Sequence, residues 1–273
     1  MPMLTGYNES TAIEICKPQK IGGYDNCNFI WKEFHKQNYK TAYAEDNANI
    51  ATFNYLSPGF KKPPTDYYFR PMSLAIEKTL NQTSRHGLTY CVGNRQYGEY
   101  IYDMGLQFAQ RFQYEPHFGI FWTNSFSHND YALPATMDSK TLEYLQKMED
   151  IGYFENAIVF FLSDHGKVFY PLEKLPEAFL EERLPTFFIS IPKWFHNTYP
   201  ELIKNLKTNC ERLTTPYDIY MTMQHLLKMN KPNFIITPAS GCSRCQSLFD
   251  EIPEDRTCFQ AGIPTDWCSC STF

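Results

Sequence analysis

From about residue 20 to 230, short apolar β-prone runs alternate with stretches of helical period, and this alternation constrains the fold more than any single motif. "HFGIFWT" (117–123) reads as a buried strand. "SKTLEYLQKMEDIG" (139–152) reads as a helix with Ser139 at its N-cap, Leu142, Leu145 and Met148 on one face, and Gly152 just past its end. "AIVFFLS" (157–163) and "LPTFFISIP" (184–192) are the next strands, and "TPYDIYMTMQHLLKM" (215–229) is a closing helix with Pro216 in its first turn. Strand, helix and strand at this spacing need crossover connections. The expected sheet is therefore largely parallel and covered by helices on both faces.

The chain has 273 residues, 43% of them hydrophobic, enough for a substantial core. A net charge of -5 and a pI near 5.8 argue against a grip on nucleic acid, which rests on phosphate neutralisation. The opening "MPMLTGYNES" has neither a basic n-region nor an apolar h-region, and the apolar run at 157–162 falls far short of a roughly 20-residue span. No secretory signal or membrane segment is read within this chain. Nine cysteines point the other way, five of them (Cys242, Cys245, Cys258, Cys268 and Cys270) near the end. The expected organisation is an α/β core over 1–238 followed by a disulfide-rich tail over 239–273, built in an oxidising compartment. Zinc ligation is the rival reading, because Cys242 and Cys245 have the two-residue gap of thiolate pairs, whereas Cys268 and Cys270 have only one residue between them. With sequons at Asn8 and Asn81, the reading is an extracellular protein, secreted or the ectodomain of a membrane-anchored parent, whose targeting segment lies outside this chain. The odd cysteine count fits a partner lost with that segment.

"AIVFFLSDHGK" (157–167) carries the clearest chemistry. Ligands of open α/β sheets bind beyond the carboxyl ends of strands, where Ser163, Asp164, His165 and Gly166 fall. A carboxylate and a neutral imidazole are good ligands for a divalent cation, and Gly166 permits the sharp turn that lets neighbours reach one centre. The bland alternative is a strand-end turn with an exposed histidine.

"IVFFLSDHG" followed by "TPYDIYMTMQHLL" resembles the sulfatase and alkaline-phosphatase superfamily. The blocks "FKKPPTDYYFRP" (60–71), "YCVGNRQYGEY" (90–100), "FGIFWTNSFSHND" (118–130), "EERLPTFFISIP" (181–192) and "SLFDEIPEDRTCFQAGIPTDWCSC" (247–270) resemble more closely the extracellular domain-of-unknown-function family numbered 229. The resemblance implies an alkaline-phosphatase-like three-layer α/β/α sandwich with a mostly parallel sheet, and a metal-dependent hydrolase of sulfate or phosphate esters. On it, Asp164 and His165 become ligands of a divalent cation, either calcium, zinc or manganese. His128 becomes a candidate catalytic residue that faces the substrate anion or protonates a leaving oxygen. Asn129 and Asp130 share its loop but are ordinary turn residues as well. Asp218 is read as structural, capping the last helix. The implied partner is a small anionic ester or glycan.

Two departures qualify the resemblance. A superfamily site also has an N-terminal strand with a metal-binding carboxylate and a Ser, Thr or modified Cys nucleophile opening a helix. "MPMLTGYN" resembles the segment after that helix, so the expectation is the C-terminal part of such an ectodomain, lacking its N-terminal strand. Ser125 and Ser127 lie in no block matching a nucleophile. Relatives also continue Asp-His-Gly with a small basic segment, where this chain has Lys167, Val168, Phe169 and Tyr170. The alternative is a non-catalytic extracellular binding module that retains the fold and uses an aromatic-rich surface, although the commonest fate of its 22 Phe and 19 Tyr is core packing.

Overall fold

"KTAYAE" (40–45) supplies residues that bury well on both sides of a strand, and the fold is built outward from it. The computed structural model describes residues 1–166 and 172–270. In chain order it runs α1 (Pro2–Thr5), α2 (Glu9–Cys16), α3 (Ile30–Lys36), β1 (Lys40–Glu45), β2 (Tyr67–Tyr68), α4 (Arg70–Thr79), β3 (Gln82–Arg85), β4 (Leu88–Val92), β5 (Arg95–Gln96), α5 (Tyr97–Phe112), β6 (His117–Trp122) and α6 (Asp138–Asp150). It continues with β7 (Val159–Leu162), α7 (Ala178–Arg183), β8 (Phe187–Ser190), α8 (Lys193–Thr198), α9 (Pro200–Thr208) and α10 (Pro216–Asn230). Strands β2, β1 and β6 form a parallel sheet in that order, with Ala42 opposite Tyr67 and Gly119.

Alternation along β1 and β6 sorts their side chains into two cores, as a strand covered on both faces requires. Tyr43, Phe118 and Ile120 face α3 and α10, where they join Phe29, Trp31, Phe34, Phe53, Tyr217, Tyr220 and Leu227. Rings there pack at close range, Phe29 on Trp31 at 4.3 Å between centroids and Phe34 on Phe118 at 4.4 Å. Ala42, Ala44 and Phe121 face α5, against Ile101, Phe108 and Phe112. Gly105 brings that helix close, because a Cβ there would lie 3.3 Å from the Phe121 ring. The layering is α/β/α, and much of the aromatic content serves these cores.

The elements read from the sequence are present, with instructive differences. Helix α6 starts at Asp138, so Ser139 is not its cap. A 3₁₀ turn at Leu133–Thr136 runs straight into it, and Met137 takes the N-cap position without a side-chain cap bond. Gly152 follows the helix in the left-handed region at φ 71°. The parallel ladder among the described residues is three-stranded. Strand β7 pairs antiparallel with β8, Phe160 opposite Ile189, because the chain returns directly beside it. The Ser163 N–H donates to the Thr186 carbonyl at 2.9 Å and the Thr186 N–H to Ser163 Oγ at 3.0 Å. A smaller antiparallel sheet holds β3, β4 and β5.

Three disulfides are present among the described residues, Cys16–Cys27, Cys242–Cys245 and Cys258–Cys268. Cys242 and Cys245 are bonded to each other, which removes them as a zinc thiolate pair. Among the described residues no helix is long and apolar enough to cross a membrane. The tail buries Leu248, Phe249 and Ile252, and Phe249 joins Phe195 and Ile203 from α8 and α9. Its polar anchor is Arg256, which forks onto Asp218 with Nη1–Oδ2 at 2.9 Å and Nη2–Oδ1 at 3.1 Å. The same carboxylate accepts from the Thr215 N–H at 2.9 Å, closing a capping box at the start of α10, and from the Gln246 N–H at 3.1 Å. Asp218 therefore caps the last helix as expected and ties the tail to it.

Both partners of this ion pair are buried, so removing one strands the other without water. Arg256→Ala should lower the unfolding free energy by about 3–5 kcal/mol in a denaturant titration. A loss below about 1 kcal/mol would mean that the pair is not desolvated in solution.

Candidate functional site

The loop leaving β7 presents Asp164 and His165 side by side. Both are exposed, and a carboxylate oxygen of Asp164 lies 3.5 Å from His165 Nε2. His165 Nδ1 lies 2.6 Å from the Gly166 carbonyl oxygen and donates to it, leaving Nε2 on the side of Asp164. Gly166 is required sterically, because a Cβ there would collide with the Glu181 carbonyl at the end of α7. Its N–H donates to the Glu182 carbonyl at 3.1 Å. Lys167, Val168, Phe169 and Tyr170 lie outside the described residues.

His128 sits on the loop after β6, also exposed. Its Nδ1 lies 2.6 Å from Asn129 Oδ1, while Asn129 Nδ2 donates to the His86 carbonyl at 2.7 Å. The amide orientation puts the proton on Nδ1 and leaves Nε2 as the nitrogen available to a ligand. Asp130 accepts from the Ala132 N–H at 2.6 Å and pairs with His86 Nε2 at 3.0 Å, so Asn129 and Asp130 serve as turn and tether residues. Among the described residues, no hydrogen bond or ion pair joins His128 to Asp164 or His165.

The residues missed in the sequence lie at the carboxyl end of β1. Glu45 and Asp46 are buried, as are Asn124 and Ser125 where β6 gives way to the His128 loop. Asp46 accepts from the Asn124 N–H at 2.7 Å and the Ser125 N–H at 3.2 Å, one on each oxygen. Glu45 accepts from Asn124 Nδ2 at 2.9 Å, from the N–H and hydroxyl of Thr52 at 2.9 and 3.0 Å, and from the Tyr43 hydroxyl. Burial pushes the Asp46 carboxyl up to about 6, against the pull of the Asn124 and Ser125 N–H donors. Burial raises Glu45 as well. Their sequence signal was available in "TAYAED", an apolar strand ending on two acids.

Asp164 oxygen and His165 nitrogen suit a divalent cation chemically, but they are two donors where three or four are usual. Among the described residues, the one convergent group of three His, Cys, Asp or Glu donors is Cys258, Cys268 and Cys270, two of which are joined in a disulfide. No third His, Cys, Asp or Glu side chain among the described residues converges on Asp164 and His165.

The whole chain, residues 1–273, matches the model of DUF229, described as a protein of unknown function. No curated protein matches it. A crystal structure of the lipoteichoic acid synthase LtaP from Listeria monocytogenes is similar, with a TM-score of 0.38 and 18% identity over 70% of this chain. The chain spans 55% of that protein.

The buried acids have a measurable signature. Asp46 titrates near 3.8 in an unfolded chain and near 6 in the fold, so within that window only the unfolded state gives up its proton. Stability is therefore fully present below the window and is lost as pH rises through it. Between pH ~3.5 and ~7 the wild-type unfolding free energy should fall by up to about 3 kcal/mol more than that of Asp46→Asn. Equal pH slopes for the two proteins would contradict the raised carboxyl.

Proposed function

The chain belongs to the DUF229 family, and from that premise we propose that it is the C-terminal part of a sulfatase- or phosphatase-like metallohydrolase ectodomain acting on sulfate or phosphate esters outside the cell. The observation carrying this reading is the exposed Asp164–His165 pair, an oxygen and a nitrogen donor 3.5 Å apart at a strand's carboxyl end. In this reading the two residues hold one side of a divalent cation, calcium, zinc or manganese, that polarises a sulfuryl or phosphoryl oxygen. His128 faces the anionic group through Nε2, with its Nδ1 proton held by Asn129. The disulfides support an oxidising, extracellular setting, with an α/β core over 1–238 and a stapled tail over 239–273.

The test uses the longest native form from the extracellular fraction, with metal content and hydrolysis of aryl sulfate and aryl phosphate as readouts. Asp164→Ala and His165→Ala should each lower metal content and reduce hydrolysis by at least about 100-fold, the upper end of what residues behind a ligand cost. His128→Ala should reduce hydrolysis by about 10²- to 10⁴-fold with metal content unchanged. A native protein that holds no divalent cation and cleaves neither ester would point to the non-catalytic binding module instead.

A further inference from the structure

We propose that Glu45 and Asp46 are positioning residues for His128, acting through the first residues of the loop after β6. This deepens the hydrolase reading and rests on it for the role of His128. The relay is short and continuous. Asp46 holds the Asn124 and Ser125 N–H groups, at 2.7 and 3.2 Å, and Glu45 holds the Asn124 side-chain amide at 2.9 Å. The Asn124 carbonyl then accepts from the Ser127 N–H at 3.2 Å and the His128 N–H at 3.0 Å, so Asn124 to His128 forms one closed turn whose first residue is clamped to β1.

The clamp itself is rigid. Glu45 is the last residue of β1 and pairs with Trp122 across the sheet. Its backbone carbonyl accepts from Ser73 Oγ at 3.1 Å, and Thr52 and Tyr43 occupy its carboxylate. Just beyond, Asn47 turns the chain at φ 49° and exchanges two bonds with Thr89 of β4, at 3.0 and 3.1 Å. Phe126 of the same turn lies over Gly98 of α5, where an added Cβ would come within 2.9 Å of the ring. The loop is thus seated from three sides with His128 at its exposed end. A carboxylate that accepts two backbone N–H groups does this better than an amide, whose NH₂ would face one of those donors.

The decisive experiment combines amide hydrogen exchange, the imidazole resonances of the seven histidines, and steady-state kinetics on the longest native form, for wild type, Asp46→Asn, His128→Ala and the double variant. Asp46→Asn should speed exchange at Asn124 and Ser125 by at least about tenfold, leave β4 amides unchanged, and move or broaden the His128 resonance alone. It should lower kcat by about tenfold or more with KM within about twofold, and lower it by less than about twofold in the His128→Ala background. Unchanged exchange at Asn124 and Ser125, an unmoved His128 resonance, or exchange rising evenly across the chain overturns the proposal, as does a full additional loss in the double variant. If Asp46→Asn does not fold, Asn124→Ala removes only the amide to Glu45 and should give the same pattern at smaller amplitude. A wild type without hydrolysis sinks the hydrolase reading, whereas exchange and the His128 resonance still decide the positioning claim.

Discussion

Strand β1 is buried on both faces, so polar groups at its carboxyl end must be satisfied by protein rather than by water. Glu45 and Asp46 fall at that end, and a carboxyl buried there without partners would cost several kcal/mol. Their donors come from the neighbouring strand's exit, Asn124 and Ser125, and from the loop that leaves β1, at Thr52. One requirement of desolvation therefore fixes the ends of two adjacent parallel strands and the direction of the loops between them. Everything exposed beyond these strands, His128 included, inherits its placement from that buried layer.

A second buried charge repeats the logic at the other end of the chain. Asp218 caps α10, the helix that covers β1 from the α3 side, and Arg256 reaches it from the tail. The tail residues Cys242 and Cys245 join the same apolar cluster as Trp31 and Tyr43. Disulfides shorten the tail's own loops, but its orientation on the helix comes from a bidentate ion pair with both partners out of solvent.

How much of this was legible in the sequence depended on the range of the interaction involved. Helix α10 was legible because Thr215, Pro216 and Asp218 act within a few residues of one another. The strands at 117–123, 157–163 and 184–192 were legible as apolar runs, since burial selects the same residues whatever partner they find. Their pairing was not, because β7 meets β8 through a long return whose direction leaves no local trace. The Ser139 cap failed for a local reason, the 3₁₀ turn entering from Leu133. Asp164, His165 and His128 stood out because each ends a strand or comes soon after one within an imidazole-bearing motif. Glu45 and Asp46 did not, because the partner they share, Asn124, lies 78 residues from Asp46 and 79 from Glu45.

The two acid sites also differ in what they can bind, and burial decides which is which. Glu45 and Asp46 have their oxygens occupied by backbone and side-chain donors, so an incoming cation or ester would have to displace bonds that hold the sheet end together. Asp164 and His165 face water, share no such ladder, and keep a carboxylate and the imidazole Nε2 accessible at little desolvation cost. Solvated donors can exchange water for a ligand, whereas satisfied buried ones cannot do so without unfolding their surroundings. In the proposed hydrolase reading the chemistry falls on the β7 loop and at His128, and the acids at the end of β1 act by fixing where the His128 loop sits.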